Sequence, residues 1–263
     1  MSAPQTTSVF PSDKSDRIVE ASEQLLPSQG SPDEARSHAH ESRLRDFPSW
    51  LYLLREFHEI YSRGSPGGSK AIRTHRKKVR DALSLVIGSN PVVEPRQPVI
   101  KPVVAHLPRA FDLASRGSMA NIAKAMDRAS GDLEWEYGYS RVPPHLAKKY
   151  AYCEIVSPRG PVKANTLAMG FVLFAPNTTY PQHSHEDIEE SYISIAGAWS
   201  ENEFAVFAPG SLILNKPGHE HRITTGENDP CLLAYAWVGP GDRITDPDMK
   251  FSKTRKRRIE QGI

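Results

Sequence analysis

After Gly131 the apolar residues of this chain stop recurring at helical spacing and begin to alternate, and that change of period limits the fold more than any other feature. Segments 133–139, 150–156, 166–174, 191–199, 204–207, 211–214, 222–225 and 231–238 read as short strands, with Pro, Gly and Asn standing between them. Many short strands cannot each bury a face alone, so they must close into a sandwich or a barrel. No internal repeat is visible, which predicts one barrel, a jelly roll open at one end.

The first half has a different period. Trp50, Leu53, Leu54, Phe57, Ile60 and Tyr61 predict a helix that begins at Pro48, where proline suits the first turn. Residues 63–69 end it, and a second helix runs to about Ile87 with Ile72, Val79, Leu83 and Val86 on one face. Prolines at 91, 95, 98 and 102 keep 90–103 extended. Short helices then fit 108–115 and 119–129. The expected organisation is a mainly β chain: a mobile arm over 1–45, an N-terminal helical region over 46–130, the barrel over 131–240 and a basic tail over 241–263.

Hydrophobic residues make up 38% and charged residues 24% of the 263 positions, a composition that excludes disorder throughout. A net charge of +2 selects no partner. The basic run from Lys253 to Arg258 has no interleaved aromatic residues, so it reads as a solvated terminus rather than a nucleic-acid contact. There is no leader-like segment and no stretch long enough for a bilayer, and the expectation is a cytoplasmic enzyme without a membrane partner. Cys153 and Cys231 have no ligand or redox spacing and read as small buried residues. Exposed sheet edges and a helical appendage admit a homodimer.

The chemistry concentrates between Thr179 and Gly197 and again at 217–221. His183 and His185 are separated by one residue, an i, i+2 spacing that turns both to one face of a strand. Glu190 and Tyr192 share that spacing, and His219 and His221 follow Pro217. Imidazole with carboxylate suits a divalent transition metal, whether Fe, Zn, Mn, Ni or Co.

The pattern His183-x-His185-x-x-x-x-Glu190, then Gly197, Pro209-Gly210 and Pro217-x-x-x-His221, resembles the two motifs of the cupin superfamily. That resemblance implies a small β-barrel with His183, His185, Glu190 and His221 around one metal ion. A narrower resemblance, to the cupin-type dimethylsulfoniopropionate (DMSP) lyases, runs from about residue 48 to 240. Its residues are 103–111, 133–139, Tyr180-Pro181-x-His183-x-His185, Glu190-x-Tyr192 with Gly197, the segment around His221, and 230–237 with Trp237. The family splits this sulfonium carboxylate into dimethyl sulfide and acrylate. Many members have three residues between the second histidine and the glutamate, a spacing that Glu189 would satisfy. Glu190 is preferred because it keeps the Glu-x-Tyr-x-x-x-x-Gly register, and His221 is preferred to His219.

β-Elimination needs a base for the proton beside the carboxylate and a site for the developing negative charge. Tyr192 is the candidate base, since a nearby cation favours phenolate, and Tyr180 the candidate for orienting substrate or sharing the proton relay. Both are read as flanking the ligands at even strand spacing. A sulfonium carries no hydrogen-bond donor, so aromatic faces hold it; Trp237, Tyr139 and Phe171 are the candidates, Phe171 better explained as plain core. His58, His75, His106 and His145 read as surface or packing residues. A cupin oxygenase using iron and a non-enzymatic binder of a small carboxylate are the competing readings of the same ligand set.

Overall fold

A computed structural model describes residues 41–63, 68–138 and 141–251. The expected arm up to residue 40, Tyr139, and the tail from Ser252 onward lie outside the described residues. Helices come first: α1 (Pro48–Ser62), α2 (Lys70–Ser89), α3 (Leu107–Ser115) and α4 (Ala120–Ala129). Pro48 opens α1 at its first turn, and Ser69 caps α2 by accepting a hydrogen bond from the Ile72 amide at 3.3 Å. Asn90 ends α2 in the left-handed conformation at φ 49°, a conformation asparagine tolerates.

The strands build two sheets. The larger contains β1 (Trp135–Glu136), β2 (Tyr150–Ser157), β3 (Val162–Lys163), β4 (Leu167–Phe174), β6 (Glu189–Ala196), β9 (Leu212–Asn215) and β11 (Cys231–Val238), in the order β1-β2-β4-β11-β6-β9 with β3 beside β2. The smaller contains β5 (Thr179–His185), β7 (Trp199–Glu201), β8 (Val206–Phe207), β10 (His221–Thr225) and β12 (Met249–Phe251), in the order β12-β5-β10-β7-β8. Short helices α5 (Pro144–Ala147) and α6 (Gly241–Thr245) sit in the connections. The sheets do not close into a continuous barrel, and the topology is that of a cupin jelly roll behind N-terminal helices.

Alternation along the larger sheet divides the core in two. Leu167, Met169, Phe171 and Leu173 of β4 join Ala151 and Cys153 of β2, Ile193 and Ile195 of β6, and the helices in one cluster. Val172 and Phe174 of β4, Tyr150 of β2, Tyr192 of β6 and Leu233 and Tyr235 of β11 join the second cluster, inside the barrel. Because helices cover one face and the second sheet the other, all eight residues of β4 are buried, and its run is apolar rather than alternating. Phe171 thus lies on the helix side, 4.8 Å from Phe57 between ring centroids, and takes no part in the cavity. Cys153 and Cys231 are buried free thiols, and burial pushes both well above the ordinary thiol range.

Three local departures from the expected reading stand out. The segment read as one strand over 191–199 breaks at Gly197, whose φ of +77° turns the chain; a Cβ there would sit 2.2 Å from the Pro230 carbonyl oxygen. The segment 133–139 contributes only Trp135–Glu136 to a sheet. Residues assigned to the tail are partly structured: Met249–Phe251 pairs antiparallel with β5, setting Met249 opposite His185. Among the described residues no helix is long and apolar enough to cross a membrane.

Truncating Phe171 would leave a void against α1. Phe171→Ala is expected to cost about 3–5 kcal/mol, read as a lowered urea midpoint with an unchanged denaturant slope.

Candidate active site

The two sheets bring separate pieces of sequence to one place. His183 and His185 enter from β5 and His221 from β10, where His221 is the cross-strand partner of His183. Glu190 and Tyr192 enter from β6, opposite Trp237 and Tyr235 of β11 respectively. Candidate ligand atoms of His183, His185, Glu190 and His221 lie within 4.8 Å of one another, and all four residues are buried.

Backbone carbonyls orient two of the imidazoles. His183 Nδ1 is 3.0 Å from the Pro181 carbonyl oxygen and His221 Nδ1 is 3.2 Å from that of His219, so each ring donates through Nδ1 and presents Nε2 inward as a lone pair. Glu190 Oε1 accepts a hydrogen bond from the Trp237 indole N–H at 2.6 Å. Its other oxygen, Oε2, lies 2.9 Å from His221 Nε2 and 3.6 Å from His185 Nε2. Yet Oε2, His221 Nε2 and both ring nitrogens of His185 have no hydrogen-bond partner among the described residues. Leaving a buried polar atom unpaired costs about 1–3 kcal/mol, and one nitrogen of His185 with Glu190 Oε2 and His221 Nε2 are atoms that a cation with nitrogen and oxygen ligands would satisfy. The donor set fits a divalent metal.

Electrostatics agree with that fit. Burial, reinforced by the neighbouring His221, lowers His183 to about 3, and burial also lowers His185; both are neutral ligands at pH 7. Burial alone would raise Glu190, but His185 and His221 outweigh it and hold the carboxyl well below its usual range. His221 is raised, because the Glu190 carboxylate outweighs the opposing effect of burial. Tyr192 is raised well above its ordinary 10, first by burial and then by the charge of the same carboxylate. Without a cation, then, Tyr192 is a protonated donor.

Beside the cluster lies a cavity of about 90 Å³, well above the ~10–15 Å³ that a single water needs. Its walls include Tyr180, His183, His185, Glu190, Tyr192 and Trp237, all expected, and also Tyr150, Tyr152, Phe174 and Tyr235. Tyr150 and Tyr152 alternate along β2, and Tyr235 stands two before Trp237, so the strand period could have found them. Tyr180 does not stand at even spacing from the ligands: it is three residues before His183, and a regular strand would turn it away. A register shift, in which Tyr180 to His183 oppose Ile223 to His221, reverses the parity and returns its ring to the cavity. The phenol then lies 3.4 Å from the Tyr150 hydroxyl. Trp237 does more than offer an aromatic face, since its ring centroid is 4.5 Å from that of His185 and its N–H holds Glu190.

Two alternatives left open by the sequence separate clearly. Glu189 points away from the cluster, toward His75 at 3.1 Å and Lys78 at 2.8 Å. His219 is exposed and lies 3.3 Å from Asn215 Oδ1. His75, read from sequence as a surface or packing residue, is fully buried and hydrogen-bonded through both ring nitrogens. Its place three residues after Ile72 and four before Val79 puts it on the apolar face of α2, the signal that could have marked it. His221→Ala is expected to lose bound metal, measured by elemental analysis of the purified protein, whereas His219→Ala retains it; full loading of His221→Ala would move the ligand to His219.

Against known proteins, the family model described as dimethylsulfoniopropionate lyase matches residues 75–233. A Cereibacter sphaeroides protein named "Putative dimethylsulfoniopropionate lyase DddL" is 64% identical over 221 residues, covering 84% of this chain and 95% of that one. Among solved structures, the DMSP lyase DddQ from Ruegeria pomeroyi DSS-3 aligns with a TM-score of 0.57 at 23% identity, covering 73% of this chain and 92% of that one. A chain from the crystal structures of the DMSP lyases RdDddP and RnDddQII aligns at 0.58 with 18% identity, covering 78% and 98%. These last two likenesses establish the shared fold, and the family model with the 64% identical relative establishes kinship: the chain belongs to the dimethylsulfoniopropionate lyase family.

Proposed function

We propose that the protein is a metal-dependent carbon-sulfur lyase that cleaves dimethylsulfoniopropionate to dimethyl sulfide and acrylate. The observation that carries this reading is the buried His183, His185, Glu190 and His221 cluster set in an aromatic cavity with Tyr192 beside it, in a chain of this family.

His183, His185, Glu190 and His221 would hold one divalent transition metal ion, which when bound polarises the substrate carboxylate and supplies positive charge against Glu190. Trp237 keeps the Glu190 carboxylate aimed by its indole hydrogen bond. Positive charge beside Glu190 would let the Tyr192 phenol release its proton to solvent, and the phenolate so formed would take the proton from the carbon beside the carboxylate. The electrons of that C–H bond form the new double bond, the carbon-sulfur bond breaks toward sulfur, and dimethyl sulfide leaves neutral. Tyr180, at its ring's edge-on contact with His183, orients substrate and shares the proton relay. The faces of Trp237 and its aromatic neighbours receive the sulfonium; Tyr139 is assigned there by the family motif alone.

Tyr192→Phe should lower dimethyl sulfide release by about 10²–10⁴-fold, measured in the headspace over purified enzyme and substrate, while metal content stays at the wild-type level. Retained turnover would reject Tyr192 as the base, and no gas from the wild-type protein would reject the substrate.

A further inference from the structure

Residues 189 and 190 are both glutamate, and only one of them can face the cavity. On a strand the side chains of neighbours point to opposite faces, and a slip or local flip by one residue exchanges them. Glu189 is the first residue of β6, where the ladder holds the backbone on one side only and such an exchange meets least resistance. If it occurred, Glu189 and Ser191 would replace Glu190 and Tyr192 inside, and the site would keep a carboxylate but lose its phenol.

The helices oppose this exchange from outside. His75, fully buried on α2, is 3.1 Å through Nδ1 from Glu189 Oε2 and 2.8 Å through Nε2 from Ser191 Oγ. A carboxylate only accepts, so Nδ1 donates to Glu189, and Nε2 of the neutral ring must accept from the Ser191 hydroxyl. Ser191 Oγ also lies 2.8 Å from the Tyr61 hydroxyl of α1, which donates to complete a chain of hydrogen bonds running one way. Lys78 holds the second oxygen of Glu189 at 2.8 Å. One imidazole thus grips both residues that flank Glu190, on the face opposite the cavity.

We propose that His75 is a positioning residue: with Lys78 it holds Glu189 and Ser191 outside, so that Glu190 and Tyr192 are the pair presented to the metal and substrate. The inference rests on the reading of Glu190 as ligand and Tyr192 as base, and it adds that α2 chooses between two chemically identical neighbours. It gives the otherwise unexplained buried polar network between helices and sheet a function in the site.

The test is a cycle read by Co²⁺ titration of full-length protein stripped of metal, following the visible ligand-field band and needing no turnover. His75→Leu, which keeps bulk but loses both hydrogen bonds, should weaken Co²⁺ binding about 10–100-fold. Adding Glu189→Ala removes the competing carboxylate, and the double variant should return to within about threefold of wild type, as should Glu189→Ala alone. His75→Gln, which can still donate to one neighbour and accept from the other, should recover most of the affinity. A merely structural role predicts the reverse sign: the double variant would bind no better than His75→Leu, and that result overturns the proposal, as does unchanged affinity in His75→Leu. If His75→Leu does not fold, the exposed Lys78→Met takes its place in the cycle. A weakening of about 1.5- to 5-fold that Glu189→Ala reverses supports the proposal, and no weakening overturns it. A wild-type band that does not depend on His221 overturns the metal reading and this inference together.

Discussion

Beyond Glu189, strand β6 is buried on both faces, and the site depends on that. Ile193 and Ile195 pack into the helical cluster while Tyr192 joins the cluster inside the barrel, so from Ile193 onward the parity of the strand is set by burial, and at its start by the hold of α2 on Glu189 and Ser191. A shift of the whole strand by one residue would also turn Ile193 and Ile195 toward the cavity, so only the first residues of β6 are left for α2 to fix. The strict two-residue period thus converts a hydrophobic pattern into the aim of a carboxylate and a phenol.

That aim places charge where water cannot reach it. Glu190 is ionised despite burial because His185 and His221 lie close, and one of its oxygens is satisfied by Trp237. Among the described residues the remaining oxygen, His221 Nε2 and both ring nitrogens of His185 have no hydrogen-bond partner. A packed interior tolerates such a set poorly, and a cation resolves it. The same carboxylate raises Tyr192, so the protonation of the phenol is tied to whatever neutralises Glu190. The carboxylate and the phenol are thus coupled by charge rather than standing as independent groups.

Much of this was legible in the sequence. The change of period after Gly131 announced a β-barrel behind helices, and the helical spacing of Trp50, Leu53, Leu54 and Phe57 announced α1. The i, i+2 pairs His183 with His185 and Glu190 with Tyr192 announced one face each. Tyr150, Tyr152 and Tyr235 went unmarked because an aromatic residue on a strand looks the same whether it faces a core or a cavity. Phe171 shows the converse: its type suited a cation, but its parity turns it to Phe57. His75 was hidden in a run of charged residues, although its spacing from Ile72 and Val79 put it on the buried face of α2.

What the sequence determined by itself is everything that a local period can carry: the class of fold, the places where strands turn, and which residues of one strand share a side. Tertiary structure alone decided which sides meet. A bulge opposite His221 and Ile223 returned Tyr180 to the cavity, helix α2 took Glu189 rather than Glu190, and a strand from the supposed tail paired beside His185. Each of these rests on contact between segments far apart in the chain, and no local pattern of residue types encodes the distance between them.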